Sequence, residues 1–264
     1  MRGALYAMHG GACAFCLSEL KRGDRGDVEH FRPKSLYFWL AYAFDNYLLG
    51  CSQCNRVYKR DDFPLALGAS RVEYEDRGLT EKEERLFLDP VLDPVEDWLV
   101  LEVGDWSCWR VAPVLPPTSL EYARVTATSV RFHWNDDPQL VKSRTDAIDE
   151  MLYAIEKEDF DDARRCASRF RPHGGAVRNL LRLEKVVPLP TADEEVAWLL
   201  EDLWQDWQWA QRIGGGLCEK RQEEIEWTFA VLWKAPPPGV SIDIGAWLAD
   251  SGLKMQVESK HRLL

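Results

Sequence analysis

The sequence predicts an α+β protein in which a small N-terminal module built around zinc precedes a mostly helical C-terminal region. Three observations lead to this fold class. Two Cys-x-x-Cys pairs lie in the first quarter of the chain, short apolar runs follow between residues 85 and 114, and apolar residues recur at helical spacing after Ser119. We expect the module at 1–64, a linker with short strands at 65–117 and the helical region at 118–264.

Composition limits the class of protein. The 264 residues are 46% hydrophobic, which suits a folded core, and the net charge of −11 argues against a surface wrapped in nucleic acid. The charge is uneven, because residues 1–62 carry nine Lys or Arg against seven Asp or Glu, whereas the remainder has a net charge of −13. No apolar run approaches the ~20 residues that span a bilayer, and the start does not resemble a signal peptide, so we expect a soluble cytoplasmic protein.

The cysteines carry the strongest signal. Cys13 and Cys16 form one Cys-x-x-Cys pair, and Cys51 and Cys54 form a second one 34 residues further along. Four thiolates with this spacing are typical of a closed tetrahedral zinc site. Because ~60 residues bury little surface, zinc would hold the module together. The other three cysteines have no partner motif, and we expect buried thiols there.

Local patterns place the remaining elements. Arg85–Pro90 predicts a short strand, and Trp98–Val103 predicts another that pairs with 106–114 as a hairpin around Gly104-Asp105. Helices are predicted from Ser119, over 138–157 and 159–170, after a capping box of Thr191 with Glu194, and over 218–234. Seven Trp between 198 and 247 lie mostly at helical spacing and favour packing over base stacking.

The segment between and after the cysteine pairs resembles the HNH endonuclease family. The residues that carry the resemblance are Glu29-His30, the mid-segment Asn46 before an apolar run, and Cys51-x-x-Cys54-Asn55 followed by Lys59. The resemblance implies a ββα-metal, treble-clef-like module in which two strands and a helix surround one divalent metal. Asp is usual in the family where this chain has Glu29, and His is frequent where it has Asn55.

A narrower likeness extends over roughly the first 150 residues. It resembles the PtuB-type HNH nucleases of Septu-like and retron-linked anti-phage systems, which act beside a PtuA-type ATPase. Its motifs are Glu29-His30-Phe31-Arg32-Pro33-Lys34, Trp39, Phe63-Pro64, Leu88-Asp89-Pro90, Asp93-Pro94, Asn135, Leu140 and Arg144. Only twelve residues precede Cys13, fewer than such a protein would have, which suggests a truncated start.

The residue types suit phosphodiester hydrolysis. His30 is the expected general base that deprotonates water. Glu29 and Asn55 are the expected oxygen ligands of Mg²⁺ or Mn²⁺, an ion that usually keeps several waters. By resemblance, Asn46 ties the catalytic loop and orients His30; an ordinary turn asparagine is the alternative.

Basic side chains near this site are candidates for substrate binding. Lys59 lies one helical turn after Asn55 and could reach a phosphate. Arg32, Lys34 and Arg56 are further candidates, although each could equally be a solvated surface charge.

We therefore expect a metal-dependent endonuclease with structural Zn²⁺ that cuts DNA or RNA. Its acidic helical region would dock an ATPase or a second copy of the chain, because net negative charge repels the phosphate backbone. The basic stretch 164–185 is a nucleic-acid track, a solvated helix face or a set of intramolecular ion pairs. There are two competing hypotheses. One is a non-catalytic zinc module that binds nucleic acid or protein, and the other is a ribonuclease that cleaves tRNA.

Overall fold

The computed structural model describes residue 2 and residues 5–6, 9–20, 26–104, 108–184 and 187–263. Asp105 and Trp106 of the predicted hairpin turn and Lys185 of the basic stretch lie outside these ranges. The described chain is rich in helix and has two small sheets, which agrees with an α+β fold. None of its helices is both long and apolar enough to cross a bilayer.

The N-terminal part contains an antiparallel hairpin followed by a helix. Strands β1 (Asp27–His30) and β2 (Tyr47–Gly50) pair with Asp27 opposite Gly50 and His30 opposite Tyr47. Gln53–Lys59, which we call the site helix, follows the hairpin directly. The amide of Arg60 donates to the carbonyl of Asn55 across five residues, so the last turn is π-helical.

The linker differs from the sequence prediction at one strand. Instead of forming a strand, Arg85–Pro90 makes a single bridge to Leu65 and then turns. The turn forms because the Asp89 carboxylate accepts the amides of Val91 and Leu92, and Asp93 accepts the amide of Asp89. Tyr74–Lys82 forms a 3₁₀ helix upstream.

The second hairpin is confirmed. Strands β3 (Leu99–Val103) and β4 (Trp109–Pro113) pair antiparallel, with Leu99 opposite Pro113. Asn135 holds β4 to the helical region, because its side chain both accepts from and donates to the backbone of Val111. Arg144 adds two bonds to the carbonyl of Trp109.

The rest of the chain is helical, as predicted. After α1 (Val95–Trp98), the helices are α2 (Leu120–Arg131), α3 (Pro138–Glu156), α4 (Phe160–Cys166), α5 (Gly174–Glu184), α6 (Ala192–Ile213), α7 (Gly216–Lys234), α8 (Ile244–Asp250) and α9 (Lys254–Leu263). Ser119 and Asp137 cap α2 and α3, and the capping box of Thr191 with Glu194 is present at α6. Helix α4 is shorter than the predicted 159–170.

Three apolar cores hold these elements together. The first surrounds the cysteine pairs and reaches beyond residue 64 to include Phe87 and Phe132. The second joins β3 to α3, α4 and α5, and it contains Cys166. The third lies among α6 to α9, where Trp207 is buried and Trp204, Trp233 and Trp247 pack against it. Cys108 and Cys218 are half-buried instead of buried.

Most arginines of the basic stretch are engaged in ion pairs. Glu195 is fully buried and pairs with Arg169 and Arg178. Further pairs join Arg164 to Glu194, Arg165 to Glu201 and Asp202, and Arg182 to Glu96 and Asp97. Of the three hypotheses for this stretch, intramolecular ion pairing therefore fits the contacts better than a nucleic-acid track or a solvated helix face.

Candidate functional site

The four paired cysteines converge on one point. The Sγ atoms of Cys13, Cys16, Cys51 and Cys54 all lie within 4.8 Å of one another, and this set could hold a zinc ion. The amide of Cys54 donates to Cys51 Sγ at 3.3 Å. Hydrogen bonds from the other three thiols, of which Cys13 has the largest effect, hold the pKa of Cys51 far below its usual value. The hydrogen bonds of Cys54 with the other three thiols raise its pKa instead. A divalent cation would allow all four sulfurs to ionise together.

The first cysteine pair is attached to the hairpin by backbone contacts. The amide of Ala14 donates to the carbonyl of Leu49 in β2 at 2.8 Å. Phe15 stacks on Phe132 of the helical region at a centroid distance of 4.5 Å, and the Trp134 indole donates to the carbonyl of Phe15. The cysteine cluster therefore sets the position of β2 and, through it, of β1.

His30 lies at the end of β1, and its contacts fix its tautomer. Nε2 lies 3.0 Å from the carbonyl oxygen of Ala41, and the ring meets that of Tyr47 edge-on at 5.1 Å. A carbonyl oxygen only accepts hydrogen bonds, so Nε2 carries the proton and the neutral ring keeps its lone pair on Nδ1. Tyr47 also donates to Ala41, at 2.7 Å. His30 is thus set up to accept a proton at Nδ1.

Asn46 ties together the loop that follows His30. Its side chain is buried; Oδ1 accepts the amide of Arg32 at 2.8 Å, and Nδ2 donates to the carbonyls of Arg32 and Leu40. The amide of Phe31, next to His30, donates to the carbonyl of Asn46 at 2.9 Å. These bonds hold the loop between His30 and β2 together, and the orienting role that the resemblance implies for Asn46 stays a prediction.

Glu29 and Lys59 form a buried ion pair. Lys59 Nζ donates to Glu29 Oε1 at 2.6 Å and to the carbonyl of His30 at 2.9 Å, with Glu29 6% exposed and Lys59 0% exposed. Burial raises the pKa of Glu29 and lowers that of Lys59, while each partner opposes the shift of the other. Glu29 Oε2 has no hydrogen bond within the described part of the chain, so it is the carboxylate oxygen with an unused lone pair.

Asn55 approaches Glu29 across Gly50. A Cβ placed on Gly50 would lie 3.4 Å from the Cβ of Asn55 and 3.5 Å from that of Glu29. Both distances are ordinary van der Waals contacts, so the side chains of Glu29 and Asn55 start close to each other beside Gly50. Asn55 Nδ2 donates to Asp27 Oδ2 at 3.1 Å. A carboxylate and an amide oxygen from neighbouring elements suit Mg²⁺ or Mn²⁺.

The four basic candidates differ in exposure. Lys34 is exposed, and Arg56 is exposed while it binds both carboxylate oxygens of Asp27 at 2.7 Å. Arg32 and Lys59 are buried instead. Arg32 contacts Glu83 and the carbonyl of Thr80. Only Lys34 and Arg56 present their cations to solvent where an approaching phosphate could meet them.

Two residues of this site gave little sequence signal. Asp27 precedes Glu29 by two residues, so strand alternation puts both side chains on one face of β1, and this spacing could have identified it. Glu83 holds Arg32 and accepts from Tyr37 at 2.7 Å, but it lies about fifty residues away along the chain. No local pattern indicates such a contact.

Comparison with known proteins gives one similarity. The chain is 30% identical over 112 residues to the Septu protein PtuB of Bacillus mycoides strain KBAB4. The match covers 38% of this chain and 37% of that protein, so the chain spans little more than a third of its relative's length. No family model and no solved structure matches. The similarity supports a Septu-related protein.

Proposed function

We propose that the protein is a metal-dependent HNH-type endonuclease, and that it is the nuclease of a Septu-like anti-phage system. The observation that carries the proposal is the arrangement at Gly50, where Glu29 and Asn55 flank one point of the hairpin and His30 follows Glu29 at the end of β1. The similarity to PtuB and the sulfur cluster beside the hairpin add support.

His30 acts as the general base in this proposal. With Nε2 bonded to Ala41, Nδ1 is the atom that removes a proton from the attacking water. Asn46 keeps the loop in the shape that presents Ala41 to the ring. Strand alternation turns His30 and Glu29 to opposite faces of β1, so a scissile phosphate would have to lie across the end of this strand to meet both side chains.

Glu29 and Asn55 would hold the catalytic Mg²⁺ or Mn²⁺. When bound, this ion supplies positive charge to the phosphate and its leaving oxygen. Lys59 has a different role from direct phosphate binding: its ammonium keeps the buried Glu29 ionised, which is the form that binds a cation. Zn²⁺ in the four-cysteine cluster is structural, because four sulfur ligands leave no open position.

Substrate and partner follow from charge. Lys34 and Arg56 would meet the phosphate backbone of DNA or RNA, whereas the acidic region 63–264 would dock a PtuA-type ATPase or a second copy. Co-purification from cells that express both proteins tests the docking. A chain that is fully active alone and recovers no ATPase would contradict it.

The test of the chemistry uses His30→Ala with His261→Ala as a matched control at a distant histidine. Purified proteins are incubated with plasmid DNA and with total tRNA, in Mg²⁺, in Mn²⁺ and in EDTA, with and without the ATPase. We expect cleavage only with a divalent ion, its loss in His30→Ala and its retention in His261→Ala. Equal cleavage by wild type and His30→Ala, at equal zinc content, would rule out His30 as the general base. No cleavage by the zinc-loaded wild type under any of these conditions would favour a non-catalytic zinc module. The substrate that is cut separates DNase from RNase.

A further inference from the structure

Asp27 is placed to control how Asn55 faces a metal. Its Oδ2 accepts the Asn55 amide group at 3.1 Å, and Arg56 donates to both of its oxygens at 2.7 Å. Asp27 lies opposite Gly50 in the hairpin, on the same face of β1 as Glu29. The Asp27 carboxylate thus joins β1 to the site helix by three hydrogen bonds.

The bond to Asp27 decides the orientation of the Asn55 amide. A carboxylate accepts and does not donate, so it selects Nδ2 of Asn55 and leaves Oδ1 on the other side of Cγ, directed away from Asp27. Oδ1 has no hydrogen bond within the described residues. Without Asp27, the amide could rotate and present its NH₂ group to the position that a cation would take.

Stability does not account for this arrangement. The side chains of Arg56 and Asp27 are 69% and 23% exposed, and ion pairs in such surroundings contribute ~0–1 kcal/mol. Arg56 instead holds both oxygens of Asp27, which fixes the plane of the carboxylate and therefore the direction from which Asn55 donates.

We infer that Asp27 is a positioning residue that turns Oδ1 of Asn55 toward the metal, and that Arg56 holds Asp27 in place for this purpose. The inference rests on the proposed function, in which Glu29 and Asn55 hold Mg²⁺ or Mn²⁺. Arg56 therefore acts on the metal site through Asp27, in addition to any contact with phosphate.

Mn²⁺ affinity, measured by electron paramagnetic resonance on the zinc-loaded full chain, is the first test. Asp27→Ala should weaken Mn²⁺ binding about ten- to a hundredfold, which is the usual effect of losing a residue that orients a ligand. Arg56→Ala should weaken it less. Asp45→Ala is the charge-matched control, because Asp45 is exposed in the same module and has no bond to the described residues; it should retain wild-type affinity.

A second measurement reads the asparagine directly and needs no catalytic metal. The chain has four asparagines, so selective ¹⁵N-asparagine labelling yields four side-chain amide pairs in an NMR spectrum. Asn55→Gln assigns one pair to Asn55. That pair should shift in Asp27→Ala and in the isosteric Asp27→Asn, whose new side chain adds a fifth pair, and should stay in place in Asp45→Ala.

The outcomes separate the two proposals. If wild type neither binds Mn²⁺ nor cleaves, the proposed function fails, whatever the amide signals do. An Asn55 signal unmoved by both Asp27 variants overturns the positioning role. Weaker Mn²⁺ binding without that shift also overturns it, because Asp27 would then be a ligand itself. The melting temperature and the zinc content of Asp27→Asn are the controls for folding, and both should equal those of wild type.

Discussion

Lys59 Nζ lies 2.6 Å from Glu29 Oε1, and water has almost no access to either side chain. The two residues lie thirty positions apart on β1 and the site helix, so this ion pair joins the elements that carry the candidate metal ligands. Its position one turn after Asn55 suggested that Lys59 faces solvent and reaches a phosphate, whereas the side chain is buried against Glu29.

Lys59→Met should destabilise the protein by about 3–5 kcal/mol, because it leaves the Glu29 carboxylate buried without its counter-ion. Urea unfolding of the zinc-loaded chain measures the loss. The double variant Glu29→Gln/Lys59→Met should recover much of it, since no buried charge then remains. A Lys59→Met protein as stable as wild type would show that the Lys59 ammonium group is solvated and does not pair with Glu29.

Asn46→Ala should cost about 2–4 kcal/mol, because the amide of Arg32 and the carbonyls of Arg32 and Leu40 lose their partner in a buried place. Asn46→Asp is the sharper variant. It keeps the oxygen that accepts from the Arg32 amide. In place of the NH₂ group, however, it has a second oxygen, which cannot donate to the carbonyls of Arg32 and Leu40. We expect Asn46→Asp to be no more stable than Asn46→Ala in thermal unfolding; recovery to wild type would contradict the three-bond arrangement.

Removal of zinc should unfold the N-terminal part. Structural zinc contributes on the order of 10 kcal/mol of apparent folding energy, far more than the hairpin alone supplies. Atomic absorption should find one zinc per chain, and Cys51→Ala should lose both zinc and the first unfolding transition. The matched variant Cys166→Ala, at a buried thiol outside the cluster, should keep its zinc.

Acid should weaken the fold through His173. This residue is 2% exposed, its ring lies 3.0 Å from Ser143 Oγ, and burial lowers its pKa to about 4. Between pH 6.5 and 4 the unfolded chain binds a proton at His173 and the folded chain does not. The free energy of unfolding therefore decreases by about 3 kcal/mol as the pH is lowered through this range. His173→Asn, which suits the positive φ of 56°, should flatten that decline in urea titrations at each pH. Parallel curves for the two proteins would count against it.

Glu195→Gln should lower stability by about 3–5 kcal/mol, because Arg169 and Arg178 both lose the charge of a fully buried partner. The amide of Arg169 also donates to this carboxylate at 2.7 Å. Thermal unfolding checks the loss. Glu194→Gln, at the half-buried neighbour, should have the smaller effect, and an equal effect of the two would argue against burial as the cause.

Local sequence patterns were enough to predict part of this fold. The cysteine spacing foretold the sulfur cluster, and the capping residues of α2 and α6 could be read from neighbouring positions. Arg85–Pro90 was wrongly predicted because its short apolar run suggests a strand, whereas Asp89 and Asp93 accept the backbone amides that form a turn. The burial of Lys59 and the Arg32–Glu83 pair depend on contacts between distant segments, which no local pattern contains.

The stacking of Phe15 on Phe132 limits how the protein can be divided. A fragment that ends at residue 64 would leave Phe15 without its aromatic neighbour and would also lack Phe87 and Trp134. A portable version of the candidate nuclease would need to extend through residue 134. A partner that shifted helix α2 would, by the same contact, move the loop that carries Cys13 and Cys16.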